Sequence, residues 1–266
     1  MSIQKIIDIM EEIAPSKLAL DWDNTGFLVG DSDANVEHVL VALDIDMRVI
    51  EEAINLGVQL IISHHPIIFK GIKHVNNQTH TGLFITRLIQ NGIAAFAAHT
   101  NYDIVPRGIN DSLFDILQLQ DKQMLDITGS EHCLGRVGTV KEPVTLEEYS
   151  RFVANALNVD ILRYVGDPNA IVKRVAVCGG ASSEIQMFEL ALKKGADLYI
   201  TGDIRYHEAQ TAYFLGLNLI DATHYATEQV GMVALAKELK NRLSDSGVQV
   251  SLSKTNFQFF KGIKKD

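Results

Sequence analysis

The sequence predicts an α/β fold built from two similar, interlinked α/β units, and three observations carry that reading. Apolar runs of strand length alternate with amphipathic stretches of helical period through 36–128 and again through 172–250. These two stretches also resemble each other. Finally, a chain of 266 residues that is 47% hydrophobic can bury one large α/β core or two smaller ones.

The first element is a helix. In "MSIQKIIDIMEEIAP", Ile3, Ile6, Ile7, Met10 and Ile13 recur at helical spacing with acidic residues between them, and Pro15 ends the run. It lacks the basic start and continuous apolar core of a signal peptide, and no apolar run in the chain has the length of a bilayer span.

A repeat follows. "VEHVLVALDIDMRVIEEAINLGVQLIISHHP" (36–66) and "VKRVAVCGGASSEIQMFELALKKGADLYITGDI" (172–204) each run from a Val-rich strand through a polar turn into an amphipathic helix. Each then reaches a glycine, Gly57 or Gly195, and leaves in a second apolar strand. Counting on equally from each glycine lands on His65 in one copy and Asp203 in the other. The likeness continues in "LIQNGIAAFAAHTNYD" (88–103) and "AYFLGLNLIDATHYATE" (212–228). Both end a helix at a glycine, run an apolar strand, and finish at a histidine followed by a carboxylate: His99 with Asp103, and His224 with Glu228. Between the repeats, 129–171 reads as short strands punctuated by glycine, then a helix starting near Thr145 with Glu147 and Glu148 in its first turn. The expected division is 1–128 and 129–266, with largely parallel sheets in both units.

Composition narrows the function. A formal charge of −9 without a basic run argues against nucleic acid or an anionic membrane as the main partner. The lysines at 261, 264 and 265 make only a short, solvated tail. Two isolated cysteines, Cys133 and Cys178, suit a reducing cytoplasm and no disulfide framework.

Five groups stand out as metal ligands: His64, His65, Asp103, His224 and Glu228. In "HYATE", His224 and Glu228 are four apart, which on a helix puts both on one face. His64 and His65 end a strand before Pro66, where consecutive side chains splay and suit two ions better than one, with a shared water or hydroxide between them. A single histidine at a strand end is more often hydrogen-bonded scaffold than ligand. The joint pattern argues otherwise, because these groups sit at or just beyond strand ends that the repeat makes equivalent, so the topology converges them on one cleft. His99, Asp203 and His207 lie near the same ends and suit ligand orientation or proton transfer. His38, His74, His80 and His132 have no such placement and read as surface or packing residues.

Other motifs rank lower. "CGGASS" (178–183) could cradle an anion, but it has neither GxGxxG spacing nor a Walker lysine, and Ser182 has no GxSxG elbow. "LDID" (43–46) could cap the next helix as easily as serve a site.

Together, "DWDNTGFLVG" (21–30), "SHHP" (63–66), "AHTNYD" (98–103), "ITGDIRYHEA" (200–209) and "HYATE" (224–228) make the chain resemble the GTP cyclohydrolase I type 2-like family, also called the Nif-three-like family. The blocks stand in the family's order and span nearly the whole chain. The resemblance implies a two-unit α/β fold with a dinuclear metal site in the cleft between the units, and a toroidal homohexamer built as a trimer of dimers. Carried over residue by residue, it puts the metal ligands on His64, His65, Asp103, His224 and Glu228. Longer family members carry a domain inserted near the middle, for which this chain has no room after Gly138, so its cavity is expected to be more open.

The resulting expectation is a cytoplasmic hydrolase with two divalent metal ions per chain and a small-molecule substrate. Zinc, iron, manganese and nickel all suit mixed imidazole and carboxylate ligands. The leading reaction is GTP ring opening with formate release, with a bridging hydroxide as nucleophile and His99 or His207 as proton shuttle. Arg107 and Arg205, and less so Lys70 and Lys73, are candidates for phosphate contact. The alternatives are hydrolysis of another phosphorylated or amide substrate, and a metal-handling or interaction protein without turnover.

Overall fold

The structure is a computed structural model that describes residues 1–125 and 133–263. His132, Lys264 and Lys265 lie outside the described residues. Two compact units are present, one formed by Met1–Val105 with Met232–Phe257, the other by Pro106–Gly231 with the chain from Gln258 onward. The division expected near residue 128 also lies outside the described residues. The contacts instead return a C-terminal segment to the first unit, because β11 (Gln249–Leu252) pairs with β2 (His38–Ala42).

In the first unit, α1 (Ile3–Ile13) buries Ile3, Ile6 and Met10, one stripe of a 3.6-residue period. It stops where Pro15 pushes Ala14 out of helical geometry. β1 (Gly26–Val29) and β2 follow, then α2 (Met47–Leu56), β3 (Leu60–Ser63), α3 (His80–Gln90), β4 (Ala94–Ala97) and the short α4 (Thr100–Ile104). The sheet order is β1-β4-β3-β2-β11; β1 is antiparallel to β4 and the other pairings are parallel. Every residue of β3 and β4 is buried, as expected of parallel strands covered on both faces. On one face Leu40, Ile61 and Ala95 meet Val49, Ile50 and Ala53 of α2 and Ile85 and Leu88 of α3.

The second unit contains α5 (Ile109–Ile116), β5 (Gln120–Met124), β6 (Arg136–Thr145), α6 (Leu146–Ala156), β7 (Arg163–Val165) and β8 (Ile171–Val177). It continues through α7 (Ile185–Lys193), β9 (Leu198–Thr201), α8 (Tyr206–Leu215) and β10 (Asn218–Asp221) into α9 (His224–Arg242). α9 begins in this unit and its later turns belong to the first. Strand alternation sorts the core: Val175, Val177, Leu198, Ile200 and Ile220 pack with α5 and α6, whereas Ala176, Tyr199 and Leu219 pack with α7 and α8. Thr145 opens α6 through the expected acidic first turn, closing a capping box with Glu148.

The internal repeat extends further than its sequence signal. The order α1-β1-β2-α2-β3-α3-β4-α4 is matched by α6-β7-β8-α7-β9-α8-β10-α9, and the sheet orders β1-β4-β3-β2 and β7-β10-β9-β8 correspond. In both, the edge strand is antiparallel and the next two pairings are parallel. Gly57 and Gly216 end α2 and α8 in the left-handed region, at φ 65° and 77°.

One expectation is corrected. The second sheet, β5-β6-β8-β9-β10-β7, is parallel only at β8/β9 and β9/β10. β6 pairs antiparallel with both β5 and β8, and β7 with β10. Only the eleven residues 125–135 separate β5 from β6, fewer than the dozen or more that a parallel crossover takes, so this pair returns antiparallel. No described helix is long and apolar enough to cross a membrane.

Candidate functional site

In the first unit the site begins where β3 runs out. The amides of His64 and His65 donate to the carbonyls of Ala42 and Leu43, and the Ser63 hydroxyl donates to the His65 carbonyl, turning the chain sharply. His64 is fully buried, with Nδ1 2.8 Å from the Ala98 carbonyl oxygen. His65 has Nδ1 2.7 Å from Asp44 Oδ1. His99, one residue before α4, has Nδ1 2.8 Å from Asp23 Oδ1.

His64, His65 and His99 bring donor atoms within 4.8 Å of one another, a grouping that can hold a metal ion. Asp103 joins them from α4, with Oδ1 3.7 Å from His64 Nε2. Burial pushes the Asp23 carboxyl up, but hydrogen bonds from His99 and from the Thr100 hydroxyl and amide outweigh it and hold the group at about 2. Asp23 is therefore a fixed anion at neutral pH that orients His99.

The second unit presents the matching pair at the start of α9. His224 Nε2 lies 3.0 Å from Glu228 Oε2, and His224 Nδ1 lies 2.8 Å from Asp203 Oδ2. The backbone that supports them is unusual. Thr223 and Asp203 adopt φ 68° and 54°, a region that costs a non-glycine residue roughly 1–3 kcal/mol. A Cβ on Gly202 would meet the His224 amide nitrogen at 2.4 Å, and one on Gly180 would meet Glu228 Oε1 at 2.2 Å. The two glycines let the loops after β8 and β9 press against this pair.

The chemistry of these donors fits a cation. In all four imidazoles an oxygen faces Nδ1, so the proton belongs there and the Nε2 lone pair is the one presented. Two donors each about 2.1 Å from one ion and at a right angle are about 3.0 Å apart, the separation seen between His224 and Glu228. Asp103 and Glu228 are buried carboxylates, which a cation stabilises against desolvation.

Comparison with known proteins gives this geometry a family. The Duf34/NIF3 (NGG1p interacting factor 3) model matches residues 1–258. The chain belongs to the Duf34/NIF3 family. A Clostridium perfringens relative named GTP cyclohydrolase 1 type 2 homolog is 38% identical, over 96% of this chain and 97% of that one. Among solved structures, a Bacillus cereus protein related to NIF3 superposes with a TM-score of 0.93 at 26% identity, covering 99% of each chain. A Staphylococcus aureus hypothetical protein gives 0.92 at 32% identity, also over 99% of each. These Duf34/NIF3 structures share the two-sheet α/β architecture described above.

Of the residues singled out in this Duf34/NIF3 chain, the first unit gathers His64, His65, His99 and Asp103, and the second gathers His224, Glu228 and Asp203. His207 is exposed on the first turn of α8, its ring against Tyr206. Arg205 is engaged by Glu208 through its amide and guanidinium, and Arg107 is exposed beside Asp111. In the lower-ranked "CGGASS" motif the amides of Gly179, Gly180 and Ser182 donate to Asn110, Thr227 and Thr201, so these three do not face an anion. His38 is a packing residue, bonded to the Leu56 carbonyl and Ser251; His74 and His80 are exposed.

Two roles escaped sequence reasoning. In "LDID", Asp44 orients His65 while Asp46 caps α2, so the motif does both jobs between which its sequence could not choose. Asp23 carried no signal beyond its place in a polar block, since its partner His99 lies far along the chain.

Proposed function

We propose that this protein is a dinuclear metal-dependent hydrolase that acts on GTP, opening the guanine imidazole ring by hydration at C8 and releasing formate. The observation that carries the reading is the common polarity of the histidines, each with Nδ1 facing an oxygen and Nε2 presented as a ligand. In this reading His64, His65, Asp103, His224 and Glu228 would hold two divalent ions. The donor set contains no thiolate and suits zinc, iron(II), manganese or nickel. When bound, such ions supply Lewis acidity toward water and the ring under attack.

The remaining chemistry falls to the chain itself. His99 carries the proton, because Asp23 fixes its orientation and its ring nitrogen lies within 4.8 Å of those of His64 and His65. Asp44 and Asp203 hold His65 and His224 in the ligating tautomer. His207, exposed beside Tyr206, is assigned no step. The family names of the relatives support the GTP assignment, since the Clostridium perfringens protein is named a GTP cyclohydrolase 1 type 2 homolog.

The test is metal content of protein purified without added metal or chelator, for the wild type, His64→Ala and Glu228→Ala, followed by formate release from GTP. Near two metals per chain, lost in both variants together with formate release, is the expected result. Two metals without formate would refute the cyclohydrolase assignment and favour metal handling.

A further inference from the structure

The first unit carries an aromatic feature that ligand holding does not use. Trp22 is 59% exposed and Phe69 is 45% exposed, although large aromatic side chains ordinarily bury most of their surface. They stand together, with ring centroids 5.9 Å apart, and each lies 6.1 Å from the His99 ring. None of these contacts is a stack: Phe69 and His99 meet the indole at interplanar angles of 69° and 77°. Neither ring lies parallel over the indole, and Trp22 is more than half exposed, so these two contacts do not stack against its π faces.

The pair is held in place rather than left to wander. Asn24 Nδ2 donates to the Ile68 carbonyl at 2.5 Å, joining the loop that carries Trp22 to the loop that carries Phe69. Asp23, the residue between Trp22 and Asn24, is bonded to His99 and Thr100, and Thr100 Oγ1 accepts from the Leu20 amide. Phe69 itself lies in the connection from β3 to α3, residues 64–79, which has no regular structure. A connection of that length in a compact unit is more often functional than idle. Lys70 and Lys73, both exposed, follow Phe69 on the same loop.

We propose that Trp22 and Phe69 form a stacking platform for a purine base, presenting the ring edge to His99 and its neighbouring histidines while Lys70 and Lys73 face the phosphate side. This proposal rests on the reading of those histidines as the seat of the chemistry, and it names what recognises the substrate there. Base–aromatic stacking is strong enough to matter: removing one such ring typically weakens binding by about tenfold or more.

Trp22 is the single tryptophan of the chain, so its emission reports this place alone. The experiment titrates guanosine, GTP and inorganic triphosphate into the full-length protein as purified with its metals, following tryptophan emission and, in parallel, heat of binding. Guanosine and GTP are expected to quench Trp22 saturably, and inorganic triphosphate to leave it unchanged. Phe69→Ala, which keeps the reporter, is expected to weaken both purines about tenfold. By calorimetry, Trp22→Leu is expected to do the same, and Trp22→Phe to recover most of the loss.

Unchanged emission with both purines would overturn the platform, as would equal quenching by triphosphate or an unaltered affinity in Trp22→Leu. Formate measured on the same samples separates the two readings. Quenching without formate leaves the platform standing and removes the cyclohydrolase, whereas formate without quenching does the reverse.

Discussion

Replacing Gly180 by alanine displaces the Glu228 carboxylate without substituting a ligand residue. The residue sits at φ 71°, so any Cβ costs roughly 1–2 kcal/mol in backbone strain. That Cβ would also lie 2.2 Å from Glu228 Oε1 and 3.2 Å from its Cδ, so the carboxylate must retreat by about 1 Å to reach ordinary contact. The Gly180 amide keeps its bond to Thr227 Oγ1, 3.0 Å away, so the start of α9 is not set free. Gly216→Ala is the control, because it has the same left-handed backbone, φ 77°, and nothing within 4 Å of the added carbon. Both variants should lose about 1–2 kcal/mol in denaturant unfolding with chelator present. Only Gly180→Ala should bind metal more weakly, by about 10- to 100-fold in competitive titration, as when a ligand loses its orientation. Wild-type metal affinity in Gly180→Ala, with stability lowered as in the control, would remove Glu228 from the ligand set.

The second unit makes its own prediction at Asp111. Burial pushes the Asp111 carboxyl up, but the Arg107 amide and the Arg136 guanidinium outweigh it and hold the group below its ordinary value. A depressed carboxylate stabilises the fold fully above its unfolded value near pH 4, and that contribution disappears as pH falls through the lower folded value. Acid unfolding of Asp111→Asn should therefore be flatter than wild type below pH 4, with lower stability at pH 7; parallel curves would contradict it. Arg136→Met removes the partner of a partly buried carboxylate, and with Lys122 still 3.3 Å from Asp111 the cost should be about 1–3 kcal/mol by urea denaturation. The family resemblance implies a toroidal homohexamer, so sedimentation should give six chain masses at micromolar concentration. A stable monomer would sink the toroid.

The sequence by itself determined the element types and the site candidates that depend on local spacing. Helical period defined α1, glycines at helix ends marked α2 and α8, Thr145 with Glu148 opened α6, and the four-residue spacing placed His224 and Glu228 on one face. Each rests on residues within a turn or two of one another, where steric preference and hydrogen bonding act without the rest of the chain. Strand direction in the second sheet was beyond it, because whether β6 lies parallel or antiparallel to β8 depends on what connects and covers the strands. Two of the orienting partners were beyond it as well. Asp23 reaches His99 and Asp44 reaches His65 only after segments apart in the chain have docked side by side, whereas Asp203, which faces His224, was already marked by its place in the repeat. A carboxylate alone in a sequence is a solvated charge; the tertiary fold decides its role by bringing an imidazole within hydrogen-bonding distance and removing the water that would otherwise serve them both.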